Sequence, residues 1–291
     1  MQHAKLSDKV ILVKLTQRRA PLTKRDKALT NQLQTQYNDN SLTAIYKLFR
    51  DINSPINKLM KKHNEVYAYH KQNTIPHIDA GPRMLPSTLY FEYAQEMKQR
   101  VAVVEKMANQ CYQDYDQIVQ DDVMFRNSGH ASGRANKAEY PTAEQFRNAV
   151  GSDLRFSPMP DKRHFLFDLS DEDLAEFDRA EAELASVARE DTINRMLKPL
   201  ADLTRRLGEY QGNKGERFHN SLMENVLEGC ATARKLAIDP SPELVQEINE
   251  IEQLASNYLQ NVEIIKGSAN ARVEARKKLD EATERLSAYN F

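Results

Sequence analysis

Asn73-Thr74-Ile75-Pro76-His77-Ile78-Asp79-Ala80-Gly81-Pro82-Arg83-Met84-Leu85-Pro86 interrupts a helical pattern. Three prolines and a glycine in fourteen residues cannot continue a helix, because proline lacks the amide donor and its ring collides with the preceding turn. Helical spacing resumes at once with Ser87-Thr88-Leu89-Tyr90-Phe91-Glu92-Tyr93. The stretch reads as an ordered structural loop that joins two amphipathic helices into an antiparallel hairpin. Its structural residues are Pro76, Asp79, Gly81, Arg83 and Pro86. Gly81 is the position for a positive φ. Arg83 is the polar anchor, expected to bond Asp79 or a backbone carbonyl.

Working outward, the upstream helix is expected from about Leu42 to His70. Leu42, Ile45, Leu48, Phe49, Ile52, Ile56, Leu59, Met60 and Val66 recur at spacings of three and four, with a kink or break near Asn53-Ser54 because Pro55 follows. Before it, residues 23–36 read as a polar helix capped by Thr23 and ended by Asn38-Asp39-Asn40. Val10 to Leu15 is the best strand candidate, short and β-branched. The downstream helix is expected from Ser87 to Val123, with Leu89, Tyr93, Met97, Val101, Val104, Met107, Cys111, Tyr115 and Ile118 as its stripe. Tyr90, Phe91, Tyr93, Tyr112 and Tyr115 read as helix-packing aromatics.

Ser128 to Arg134 reads as a flexible connection. Thr142 and Gln145 have capping-box spacing at the start of a short helix that Gly151 can end. Leu154-Arg155-Phe156 and His164-Phe165-Leu166-Phe167 look like short strands, which with residues 10–15 could build a small sheet. From Ser170 the pattern is helical again, with an acidic start, kinks or breaks at Pro199 and Gly208, and a turn at Gly212 to Gly215. Further helices are expected over Phe218 to Ile238, Ser241 to Ile265 and Ala269 to Tyr289, with Ser241-Pro242 as a cap and first-turn pair. The expected fold is mainly α: elongated helical hairpins and a C-terminal bundle or coiled coil around a small β element. The segments are 1–127 (strand and helical hairpin), 128–169 (linker and β element) and 170–291 (C-terminal helices). Leu244, Ile248, Ile251, Leu254 and Tyr258, continued by Val262, form a stripe for self-association or partner binding. The alternative is that they pack on the protein's own helices.

Composition agrees with helix: nine glycines in 291 residues, 40% hydrophobic and 29% charged. The mean hydropathy of −0.70 points to much solvated surface. Residues 1–80 hold fourteen Lys/Arg against six Asp/Glu, so they carry +8 while the whole chain carries −1. Arg18, Arg19, Lys24, Arg25, Lys61 and Lys62 are the candidate nucleic-acid contacts, with Tyr67 and Tyr69 near the last pair. The alternative is that this basic half neutralises the acidic remainder. Cys111 and Cys230 lie far apart in helical patterns and read as buried free thiols suited to a reducing cytoplasm. No signal peptide and no membrane-length apolar run is visible.

Motifs for catalysis are weak. His63 and His70 are two helical turns apart, too far for one metal ion, and Gly129-His130-Ala131-Ser132-Gly133 lacks nucleophile-elbow order. No Walker or Rossmann glycine pattern occurs. Asp114, Asp116, Asp121 and Asp122 cluster near a helix end without the spacing of a calcium loop. No cofactor or metal is expected, and no catalytic residue is assigned.

Thr74-Ile75-Pro76-His77-x-Asp79-x-Gly81-x-Arg83-x-Leu85-Pro86, the tyrosine-rich helix, Tyr140-Pro141-Thr142 and Phe156-Ser157-Pro158-Met159-Pro160 together resemble a family known only as domain of unknown function 3150, found in phages and bacteria. The resemblance spans roughly residues 8–190, and His77 stands where the family pattern has an aromatic residue. Members are often encoded near a MoxR-type AAA+ ATPase and a von Willebrand A-like protein. The resemblance therefore implies a phage-type, non-enzymatic interaction or adaptor protein partnered by such an ATPase, homo-oligomeric and cytoplasmic. The second reading is a non-specific nucleic-acid-binding protein that uses the basic half. The third is a hydrolase with an unrecognised site.

Overall fold

The computed structural model describes residues 5–130, 135–161, 170–213 and 215–290. The fold is mainly α with a small antiparallel sheet. A short turn of helix, α1 (Leu6–Lys9), leads into β1 (Val10–Arg18), longer than the strand expected. β2 (Thr23–Arg25), α2 (Lys27–Tyr37), β3 (Ile45–Lys47) and α3 (Pro55–Gln72) follow. Next come β4 (Ile75–Pro76), β5 (Arg83–Pro86), α4 (Tyr90–Gln113), α5 (Tyr115–Phe125), α6 (Ala143–Ala149) and β6 (Gly151–Pro158). The remainder is α7 (Asp171–Glu209), α8 (Ser221–Leu236), α9 (Pro242–Gln260), α10 (Val262–Gly267) and α11 (Ala269–Ser287). One sheet has the order β4-β5-β1-β6, and β2 pairs with β3 in a separate two-stranded ribbon.

The proline stretch is a hairpin in the sheet rather than a plain loop. Ile75 and Pro76 pair with Met84 and Arg83, and β5 pairs in turn with Val10 to Val13 of β1. Ile75, Met84 and Leu85 are fully buried, which explains the apolar residues between the prolines. Pro82 precedes β5 and Pro86 is its last residue, places where a missing amide costs little. Gly81 adopts φ 108°, a conformation that side chains resist.

Two compact units are built from non-consecutive segments rather than from the consecutive segments 1–127, 128–169 and 170–291. The first unit comprises 1–13, 71–90 and 156–291; the second comprises 14–70 and 91–155.

In the first unit, α7, α8, α9 and α11 form a closed ring of neighbours, each packed on two others. Their core includes Met196, Leu200, Leu203, Val226, Cys230, Ile251, Ala255 and Leu279. Leu244, Ile248, Ile251 and Tyr258 are buried in this core, and Leu254 and Val262 pack against it. The stripe expected to bind a partner is thus covered by the protein's own helices. Amphipathic spacing cannot distinguish a helix that meets a partner from one that meets its own chain. Pro199 does not break α7, which runs as 39 residues from a Ser170–Asp173 capping box. Proline does remove the amide that would bond the Arg195 carbonyl. Gly229 of α8 lies against that carbonyl, where a Cβ would come within 2.7 Å of the oxygen. Arg285 adds a bidentate pair with the buried Glu247, at 2.9 and 3.0 Å.

In the second unit, three expected helices are corrected. Thr23 begins a strand, and Asp26 caps α2 by accepting the Leu29 amide. The run from Leu42 to Ser54 is not helical; Pro55 opens α3, the place proline favours. The helical spacing there is coincidental: Leu48 and Phe49 are buried, while Ile45 and Ile52 are 64% and 81% exposed. Phe49 also sits at φ 52°, which a helix does not allow. The helix expected from Ser87 to Val123 breaks at Asp114 into α4 and α5. α3 and α4 touch where Tyr69 stacks on Tyr93 and where His70 Nδ1 meets the Tyr93 hydroxyl at 2.5 Å. Tyr93 and Tyr115 are buried as expected, but Phe91 is 82% exposed. α6 carries the Thr142–Gln145 capping box. Residues 131–134 of the expected connection, and the strand expected at His164 to Phe167, lie outside the described residues.

Candidate functional site

Two arginines set the segment that follows α3. Arg83 Nε donates to Thr74 Oγ1 at 2.6 Å and its Nη2 to the Thr74 carbonyl at 2.8 Å. Arg195 of α7 donates to the carbonyls of Gln72 at 2.7 Å and Thr74 at 2.8 Å. Cations on the last carbonyls of a helix satisfy groups that lack amide partners and oppose the negative end of its dipole. Arg83 therefore bonds a backbone carbonyl, one of the two partners expected, while Asp79 points elsewhere. The Asp79 amide donates to His77 Nδ1 at 3.0 Å, and its carboxylate is 79% exposed. Arg195 carried no signal in the sequence, since an arginine at helical spacing reads as a solvated face.

Held in this way, the tip of the hairpin lines a cavity of about 180 Å³ with the α1 turn, Met159-Pro160-Asp161 and the first turns of α7. Two of the quoted motif segments, the proline stretch and Phe156 to Pro160, meet at this cavity although they lie far apart in sequence. His77, Ile78, Met159 and Phe177 supply its apolar and aromatic lining, and Asp79, Asp161, Asp178 and Glu181 its acids. A larger cleft of about 770 Å³ shares Lys5, Leu6, Asp178 and Glu181 with it and continues along α7. Ala182, Ala185 and Ala188 give this cleft a low floor, and Ile238, Leu244 and Tyr289 line it from the other elements of the unit. Two of its carboxylates are engaged: Glu181 accepts the Leu6 amide at 2.7 Å, and Asp239 pairs with Lys9 at 2.7 Å. In the smaller cavity the Ser7 hydroxyl donates to the buried Asp161 at 2.5 Å.

The second unit holds the basic candidates. Arg18, Arg19, Lys24, Arg25 and Lys61 are exposed and Lys62 is half-buried. The structure brings Arg19 to α3, where it donates to Asn64 at 2.8 Å, next to Lys61 and Lys62 in sequence. Lys62 is paired with Glu65 at 2.8 Å. Lys24 and Arg25 lie instead on the β2–β3 ribbon. Tyr69 is not an open stacking platform: the Arg100 guanidinium covers its ring at 4.1 Å.

The aspartate cluster at α5 is a structural hub rather than a cation site. Asp122 is buried and accepts the amides of Phe49 at 2.8 Å and Arg50 at 2.7 Å, together with the Tyr140 hydroxyl. Burial, then the bond to Asp122, pushes the Tyr140 hydroxyl well above its ordinary value. Arg126 completes the group, donating to Glu139 at 2.8 Å and Tyr140 at 3.1 Å. Asp116 pairs with Lys137, and no group of metal-ligand type occurs among the described residues. Both cysteines are buried and free; burial pushes Cys111 up to about 11 and Cys230 up to about 12.

No helix among the described residues is long and apolar enough to cross a membrane. Comparison with protein-family models, with curated proteins and with solved structures finds no match.

Proposed function

We propose that the protein is a non-enzymatic interaction protein, an adaptor that takes a peptide segment of a protein partner into the cleft along the amino-terminal half of α7. The supporting observation is the lining of that cleft: an alanine floor that leaves room, apolar walls, and rim carboxylates bonded to the protein's own backbone and side chains. Groups held in this way shape and charge a rim; peptide recognition uses an apolar groove with a few fixed polar groups of this kind. The resemblance noted in the sequence adds the setting, a phage-type protein in a bacterial cytoplasm with a MoxR-type AAA+ ATPase and a von Willebrand A-like protein as partners. An elongated, homo-oligomeric form belongs to the same reading.

The test is affinity purification from the native host with partners identified and quantified by mass spectrometry, wild type beside Ala185→Arg and Ala182→Trp. Both substitutions fill the cleft from its floor. Loss of a defined partner in both variants, with unchanged circular dichroism, is the expected result. An AAA+ ATPase in that set supports the setting. Undiminished recovery of every partner by both variants refutes the cleft as the binding surface.

A further inference from the structure

In the β2–β3 ribbon, Thr23 stands opposite Lys47, Lys24 opposite Tyr46, and Arg25 opposite Ile45. Side chains alternate along a strand, so Thr23, Arg25, Ile45 and Lys47 share one face and Lys24 and Tyr46 the other. The second face is turned onto its own unit. Lys24 Nζ donates to the Glu139 carbonyl at 2.9 Å, and the Arg126 guanidinium lies 5.1 Å from the Tyr46 ring. All four residues of the first face are exposed.

That face lies within a strongly basic segment. Residues 14–62 contain eleven Lys/Arg and three Asp/Glu. Each of the three acids is occupied by a nearby amide: Asp26 by Leu29 at 2.9 Å, Asp39 by Ser41 at 2.8 Å and Asp51 by Asn53 at 2.9 Å. None of the three pairs with a cation among the described residues, and neither do Arg25, Lys27 or Lys47. Arg25, Lys27 and Lys47 therefore keep their charge without an ion pair among the described residues.

We propose that the outward face of the β2–β3 ribbon, through Arg25 and Lys47 with the adjoining Lys27, binds the phosphate backbone of double-stranded nucleic acid. A duplex presents one negative charge per ~1.7 Å of its axis, a density that matches an uncompensated basic face. Two strands about 4.8 Å apart enter a major groove about 12 Å wide. The face has no Asn or Gln for bidentate contact with adenine, so phosphate contacts dominate and sequence matters little. This inference is independent of the cleft, which lies in the other unit.

The experiment is fluorescence anisotropy of the full chain with two labelled duplexes of unrelated sequence, across ~50 to ~200 mM salt. Three phosphate contacts give a slope of log affinity against log salt near −2.7, or about a fortyfold loss over that range. R25E/K47E is expected to lose more than tenfold in affinity at the low-salt end and to bring the slope to about −0.9. The control K277E/K278E changes net charge equally on exposed positions of α11 and leaves binding unchanged. Matching circular dichroism melts show that both variants are folded. Absence of binding at low salt overturns the proposal, as does an equal loss in the control. Displacement of the duplex by polyglutamate at equal charge also overturns it, because the face would then serve an acidic protein.

Discussion

Replacing Asp122 by alanine removes the acceptor of three donors at once: the Phe49 amide, the Arg50 amide and the Tyr140 hydroxyl. Phe49 and Tyr140 are buried, so water cannot easily replace the carboxylate for their two donors, whereas Arg50 is exposed and its amide can be rehydrated. Each buried donor left without a partner costs about 1–3 kcal/mol. Two of them give roughly 4 kcal/mol, a large share of the ~5–15 kcal/mol that holds a typical domain. Phe49 adds to this, because the two amide bonds hold it at φ 52°, a conformation that costs about 1–2 kcal/mol and persists only while its surroundings enforce it. Asp122→Asn keeps the shape but directs an amide NH2 at one of the donors, so an intermediate loss of about 2 kcal/mol is expected. Asp121→Asn, at the exposed neighbouring position, is the control. Urea unfolding followed by circular dichroism supplies the stabilities. Hydrogen exchange at Phe49 and Arg50 reports whether the loss is centred on this turn. If Asp122→Ala and Asp121→Asn unfold within ~0.5 kcal/mol of each other, the hub is not what holds residues 49–50, and the reasoning fails.

Three further outcomes can be checked. Gly229→Ala places a Cβ 2.7 Å from the Arg195 carbonyl oxygen, forcing α8 away from α7; overpacking of about 1–3 kcal/mol should exceed the ~1 kcal/mol gained in helix propensity, and a raised melting temperature would contradict this. His63 is fully buried with no hydrogen-bond partner on either ring nitrogen among the described residues, and burial followed by the Arg19 charge lowers its pKa from the ordinary 6.5. The unfolded chain then binds the proton more readily, so this contribution to stability is complete above about pH 6.5 and declines as pH falls below it. His63→Leu should flatten the urea midpoint between about pH 7 and pH 5 relative to wild type, and identical pH profiles would contradict the assignment. Native protein should react slowly with a thiol reagent at mildly alkaline pH and expose both thiols in denaturant, since Cys111 and Cys230 are buried with pKa values of about 11 and 12. Rapid modification of either native cysteine would rule this out.

Much of the local architecture was legible in the residues themselves. β1, the capping box at Thr142, the acidic helix start at Ser170, the Ser241-Pro242 start of α9 and the positive φ of Gly81 depend on short-range chemistry that neighbouring residues specify. Long-range pairing decided the rest. Residues 42–54 have helical spacing, yet the Asp122 carboxylate, more than seventy positions away, holds Phe49 in a left-handed turn. The proline stretch reads as a loop until β1 is available as a partner, because a two-residue strand has no signature of its own and gains its bonds only from the sheet. The stripe on α9 is amphipathic in either outcome, and only the ring of α7, α8 and α11 shows that its apolar face is covered within the chain. The basic surplus of the first eighty residues was countable from the sequence. That two of its cations, Arg25 and Lys47, share an exposed ribbon face, while the nearby acids bond to backbone amides, is a fact of tertiary structure: composition fixes how many charges a segment carries, and folding fixes which of them meet.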